Sequence, residues 1–171
     1  MEIEKKYLVS ELPNNIDSYQ KIEIEQGYLC TKPVVRIRKS NEDYYLTYKS
    51  PFHDVSKNHM DNKVLVNNEI EMPLTKEAYE HMKLKADHNI IRKTRYLIPL
   101  ENGLLGEFDV FHDNLEGLYF IEVEFPSEEA ANTFCPPSWF LKDVTSDKRF
   151  RNNYLISVND IKELNLIYLS V

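Results

Sequence analysis

Glu2-Ile3-Glu4-Lys5-Lys6 places two carboxylates and an ammonium at alternate positions. The same spacing of like charges returns five times, as Arg36-Ile37-Arg38, Glu69-Ile70-Glu71, Lys93-Thr94-Arg95, Glu107-Phe108-Asp109 and Glu122-Val123-Glu124. Clustered carboxylates suit a hard divalent cation such as Mg²⁺ or Mn²⁺, which takes oxygen ligands and is commonly shared with phosphates. Clustered cations suit a polyanion, because Arg offers paired donors to a phosphate and Lys a point charge. Together they describe metal-assisted phosphoryl transfer, in which charge is neutralised at the reacting phosphorus and on the leaving phosphate.

Such chemistry needs the charges gathered on one surface, and period-two alternation supplies it. In an extended strand each pair shares a face, while Ile3, Ile37, Ile70, Phe108 and Val123 point the other way. Alternation bounded by turn residues predicts strands near 1–9, 20–30, 33–40, 43–50, 66–73, 89–100, 104–112 and 118–126. Eight antiparallel strands suit a closed β-barrel, an arrangement without exposed edges, with helices packed outside; the expected class is α+β. Parity assigns the interior Glu2, Glu4 and Lys6, then Gln26 and Tyr28, Arg36 and Arg38, and Lys49. From the later strands come Glu69 and Glu71, Lys93 and Arg95, Glu107 and Asp109, and Glu122 and Glu124. Buried charges persist only when paired, hydrogen-bonded or bound to metal, so the interior is expected to be a polar tunnel.

Thr75 through Leu84 carries an N-cap and helical apolar spacing, and is expected to cover the apolar outside of the sheet. Ser127-Glu128-Glu129 opens a second helix, Pro136-Pro137 breaks the chain, and Trp139 is read as a packing anchor. Residues 150–157 and 159–168 are predicted as C-terminal helices packing beneath the barrel. Residues 52–68 are polar, lack periodicity and are read as a long loop; His53 and His59 within it are read as surface residues. At 171 residues and 42% hydrophobic, the chain is read as one domain over 1–171. A net charge of −7 argues against broad nucleic-acid binding, which relies on excess cations. Two cysteines make neither a disulfide framework nor a four-ligand zinc site. The charged N-terminus and the lack of an apolar run near 18 residues predict no membrane segment and a cytoplasmic location. Outward apolar strand positions would pack on the chain's own helices or on a second copy, as in a homodimer.

The ordered set Glu2-x-Glu4-x-Lys6, Gln26-Gly27-Tyr28-Leu29, Val35-Arg36-Ile37-Arg38, Tyr45-Leu46-Thr47-Tyr48-Lys49, Glu69-Ile70-Glu71, Lys93-Thr94-Arg95-Tyr96, Glu107-Phe108-Asp109, Ile121-Glu122-Val123-Glu124 and Asp143 through Phe150 resembles the CYTH superfamily. These are the triphosphate tunnel metalloenzymes, and the compact layout is most similar to the small bacterial members. The resemblance implies hydrolysis of inorganic tripolyphosphate and, more weakly, of nucleoside triphosphates, with Mg²⁺ or Mn²⁺. It implies metal ligation by Glu2, Glu4, Glu122 and Glu124, with Glu69, Glu71 and Asp109 beside them. Phosphate contacts fall to Lys6, Arg36, Arg38, Lys49, Lys93, Arg95 and Arg149, and proton acceptance to Tyr28. Adenylate cyclase and thiamine triphosphatase are alternatives within the superfamily; a noncatalytic polyphosphate-binding module is one from outside enzymology. The chain departs from the family pattern in lacking a basic residue just before Glu69 and in the length of the 52–68 segment.

Overall fold

The computed structural model describes residues 2–51 and 65–166. Its strands are β1 (Glu2–Val9), β2 (Gln20–Thr31), β3 (Val34–Ser40), β4 (Asp43–Pro51), β5 (Leu65–Pro73), β6 (Asp87–Pro99), β7 (Leu105–Phe111), β8 (Tyr119–Glu124) and β9 (Phe140–Asp143). Three short α-helices, α1 (Lys76–Lys83), α2 (Glu128–Thr133) and α3 (Asn152–Leu155), accompany them. Every pairing is antiparallel, in the order β5-β4-β3-β2-β6-β7-β8-β1-β9, and β1 also pairs with β5 through Glu2↔Asn67, Ile3↔Val66 and Glu4↔Leu65.

The eight expected strands are therefore nine among the described residues. The additional one, β9, is only four residues long and follows a proline-rich break, so its alternation is too brief to register as a period. It pairs with the second half of β1, at Tyr7↔Asp143 and Leu8↔Lys142. The long 52–68 segment is shorter than expected at its end, because Leu65 already belongs to β5; residues 52–64, with His53 and His59, lie outside the described residues.

The helix starts were legible. Thr75 Oγ1 accepts from Ala78 N–H at 3.2 Å, and Ser127 Oγ from Ala130 N–H at 3.1 Å, each meeting one of the donors a helix N-terminus leaves over. Helix α1 lays the fully buried Tyr79 over the sheet, its ring 5.1 Å from that of Tyr44. The two C-terminal helices are much shorter than predicted: 3₁₀ turns at Lys148–Phe150 and Ile161–Leu164 flank the single turn of α3. Their packing is as expected, since apolar side chains at irregular spacing still bury. Phe150, Leu155, Ile156 and Leu164 join Leu8, Ile91, Phe111, Leu118 and Phe120 in one core cluster at one end of the strands.

On the opposite face of the sheet the apolar residues between the charged pairs are buried as alternation predicts except on β5, and Ile37 of β3 is fully buried. Ile3, Phe108, Ile121 and Val123 are buried with Phe125, Ala131 and Phe140. Ile70, on β5, stays 60% exposed. No helix among the described residues is long and apolar enough to cross a membrane.

Candidate active site

A cavity of about 640 Å³ opens among the charged strand faces. Ten of the residues singled out by sequence line it: Glu4 and Lys6 from β1, Tyr28 from β2, Arg36 and Arg38 from β3, Lys49 from β4, Glu69 from β5, Arg95 from β6, and Glu122 and Glu124 from β8. Glu107 of β7, also placed inside by parity, lines it too. Alternation across antiparallel neighbours brings them together, because residues directly opposite in register share a face: Lys6↔Glu122, Tyr28↔Arg36, Lys49↔Glu69 and Glu107↔Glu122.

Gln26-Gly27-Tyr28 shows why the local sequence matters. A Cβ at Gly27 would stand 2.7 Å from Ile90 Cδ1 and 3.0 Å from Ala86 Cβ. Glycine lets β2 approach that neighbour while its flanking residues, both buried, turn the other way.

One wall is a dense lattice of ion pairs. Lys6 Nζ lies 2.8 Å from Glu122 Oε1, donates to the Phe150 carbonyl at 2.7 Å, and sits 4.5 Å from the centre of the Phe120 ring. Arg95 donates through Nε to Asp109 Oδ1 (2.6 Å), through Nη2 to Asp109 Oδ2 and Glu122 Oε2 (2.7 Å each), and through Nη1 to Glu107. Lys93 pairs with Asp109, and both side chains are fully buried. Burial pushes the Glu122 carboxyl upward, but Lys6, Arg95 and Lys93 outweigh it and hold the group well below the usual carboxylate range. Burial likewise works against the Arg95 charge, and Asp109, Glu107 and Glu122 more than compensate, raising its pKa well above the ordinary guanidinium value. For Lys93 burial wins: with the Arg95 charge adding to it, the ammonium is pushed down to about 8.

The facing wall is different. Arg36 Nη2 meets Thr47 Oγ1 at 3.2 Å and Glu69 Oε1 at 3.4 Å, and Lys49 Nζ meets Glu69 Oε2 at 3.2 Å. Arg38 has no carboxylate partner among the described residues, and its Nε is buried without a hydrogen bond. Burial, reinforced by the Arg36 and Arg95 charges, pushes its pKa down to about 10. A half-buried cation with a buried, unsatisfied Nε beside two other guanidiniums is the electrostatic signature of a place for an anion.

Other residues singled out by sequence lie outside the cavity lining. Lys93 and Asp109 do not line the cavity; they pair with each other beside it. Glu71 is exposed and outside the lining, its Oε2 accepting from Thr47 Oγ1 at 3.3 Å. Arg149 is turned away: it pairs with Asp147 at 2.7 Å and donates to the Leu164 carbonyl at 2.7 Å. Its placement was implied by the family resemblance, and here it lies in the 3₁₀ turn at Lys148–Phe150. The side chain of Glu2 lies outside the described residues.

Other residues line the cavity without having been singled out: Lys32 in the β2–β3 turn, and Thr145, Asp147, Arg151, Asn152 and Asn153 from the C-terminal segment. No period marked them, since they sit in turns, in irregular segments or in the single turn of α3. The lining holds seven cations and six carboxylates, where parity predicted an acidic excess.

A divalent cation fits one part of this set. Glu4 and Glu124 are direct register partners on β1 and β8, both face the cavity, and Glu122 follows two residues along. Like charges directly opposite repel, and a bridging cation converts that repulsion into attraction. Among the described residues no three His, Cys, Asp or Glu side chains already stand as a closed ligand cluster. Coordination from this pair therefore calls on further oxygens, which a phosphate supplies.

An antiparallel sheet whose inward faces carry Glu-x-Glu, Arg-x-Arg and Lys-x-Arg around one polar cavity matches the CYTH domain over residues 1–134, and the chain belongs to that family. It is 35% identical over 157 residues to an inorganic triphosphatase of Nitrosomonas europaea, covering 90% of this chain and 95% of the relative. A second inorganic triphosphatase, from Acetivibrio thermocellus, is 33% identical over 161 residues, covering 91% and 92%. A solved crystal structure of an inorganic triphosphatase superposes with a TM-score of 0.66 at 34% identity, over 92% of this chain and 95% of that one.

Proposed function

We propose that this chain is a divalent-metal-dependent triphosphatase that hydrolyses inorganic tripolyphosphate to pyrophosphate and phosphate, with Mg²⁺ or Mn²⁺. Nucleoside triphosphates are its weaker substrates. The observation that carries this reading is the half-buried Arg38, beside Arg36 and Arg95 and without a carboxylate partner among the described residues, in the same cavity as the Glu4–Glu124 pair. The two inorganic triphosphatases similar over most of the chain point the same way. In this reading eight strands close around the cavity through the short β5–β1 pairing, with β9 outside the ring.

Glu4, Glu124 and Glu122 would hold the metal, with Glu2 completing the motif. When bound, the metal supplies charge neutralisation at the reacting phosphoryl group. The protein's own groups do the rest. An ammonium has three donors, and Lys6 commits one to Glu122 and one to the Phe150 carbonyl, so its third is available to a phosphate oxygen in a fixed direction. Arg36, Arg38 and Lys49 orient the chain from the opposite wall. Tyr28, which lines the cavity opposite Arg36 in register, would take a proton from the attacking water.

The test is phosphate release from tripolyphosphate, pyrophosphate and ATP with each metal, read by product identity. Metal-dependent release faster from tripolyphosphate than from pyrophosphate supports the reading. Cyclic AMP and pyrophosphate from ATP would reassign the reaction to a cyclase, and no turnover with either metal would leave a binding module.

A further inference from the structure

We infer that Arg151 is a specificity-determining residue that holds the far phosphate of a linear triphosphate and so lets the cavity measure chain length; this rests on the triphosphatase reading above. Arg151 lies between two core anchors, Phe150 and Leu155, which are 1% and 0% exposed. Its carbonyl accepts from Tyr154 N–H at 2.8 Å and from Leu155 N–H at 3.0 Å, so the backbone is fixed. The side chain lines the cavity, its Nε is buried without a hydrogen bond, and no carboxylate of the described residues pairs with it. Asn152 Oδ1, on the next residue, is also buried and without a hydrogen bond. Buried guanidinium N–H groups are normally satisfied, and a phosphate oxygen is the partner their planar fork fits best.

Position along the strands gives this cation its role. Phe150 packs against Phe120 at the start of β8, ring centres 6.3 Å apart, while Glu124 ends the same strand. Four residues of strand separate those points by about 13 Å. Lys32, in the exposed turn after β2, joins Arg151 in the lining. A phosphate chain anchored at the Glu4–Glu124 pole meets Arg151 only at its distal end, and a diphosphate at the same pole falls short of it. Arg149, two residues earlier and the more obvious candidate, is already engaged by Asp147 and the Leu164 carbonyl.

The experiment compares the parent with Arg151→Gln and Arg151→Lys at matched Mg²⁺. Arg151→Gln is expected to raise KM for tripolyphosphate and weaken its calorimetric affinity by about tenfold, most of the loss falling in KM and not in kcat. Inhibition by pyrophosphate should be unchanged, Arg151→Lys should recover part of the loss, and the melting temperature should match the parent's. Equal weakening for tripolyphosphate and pyrophosphate, or no weakening of either, overturns the inference. If the parent binds tripolyphosphate without hydrolysing it, the triphosphatase reading fails while the calorimetric comparison still decides whether Arg151 reads chain length.

Discussion

Two walls of one cavity solve the problem of buried charge in opposite ways. On the β6–β7–β8–β1 side Lys6, Lys93, Arg95, Glu107, Asp109 and Glu122 form a closed lattice in which each charge meets an opposite one. On the β3 side, and in the C-terminal segment, Arg38 and Arg151 keep buried Nε groups without a hydrogen bond among the described residues. Buried ion pairs gain little net stability, yet removing one partner exposes the full desolvation cost of the other. Leaving a guanidinium unsatisfied costs stability outright and is useful only when a ligand completes it. The first wall is thus read as a rigid template, and the second, where Arg38 lacks a carboxylate partner among the described residues, as the surface that awaits an anion.

The largest effect should come where the template touches the ligand. Lys6→Ala removes the ammonium that Glu122 and Phe150 hold in place, and Glu4→Ala removes half of the opposed carboxylate pair. Each is expected to lower metal-dependent phosphate release from tripolyphosphate by at least about a hundredfold, without unfolding the chain. Rates equal to the parent's would remove both from the site. Glu122→Leu comes next and is a stability test. It strips Lys6 of its carboxylate and Arg95 of one of three, so urea denaturation should show a loss of about 3–5 kcal/mol. A loss under about 1 kcal/mol would mean the lattice is not the rigid wall described.

Sequence reading recovered the inward faces because strand parity is strict: once β1, β3, β6 and β8 existed, Glu4, Arg36, Arg95 and Glu122 had only one side to take. What parity does not carry is depth. Lys93 and Arg95 share a face, yet Lys93 is sealed against Asp109 while Arg95 reaches the cavity, a difference set by their neighbours Phe111 and Glu122 and not by spacing. Nor does it carry turns. Arg149 and Arg151 lie two residues apart, but a 3₁₀ turn and the burial of Phe150 and Leu155 put Arg151 and not Arg149 in the cavity lining. The ninth strand escaped for a similar reason, four residues being too few to show a period.

Arg38→Met separates the two walls most directly. Removing a half-buried cation that has no carboxylate partner among the described residues relieves a desolvation cost, so stability to urea should stay level or rise, while calorimetric affinity for tripolyphosphate falls by about tenfold or more. A variant that lost stability and kept affinity would reverse the assignment of the two walls.

The smallest effect concerns Lys93 and is read through pH. Its pKa lies at about 8 in the folded chain against an ordinary 10.5, so between those values the unfolded chain holds a proton that the folded chain has released. Stability contributed by this residue therefore rises as pH increases from 8 to 10.5, and its cost is fully present below 8. Lys93→Met removes the titration while Arg95 still serves both oxygens of Asp109. Urea midpoints measured across that window should climb more steeply for the parent than for the variant, by up to about 1 kcal/mol per pH unit. Parallel slopes would show that Lys93 stays charged throughout, and that the paired wall holds its ammonium as firmly as it holds Arg95.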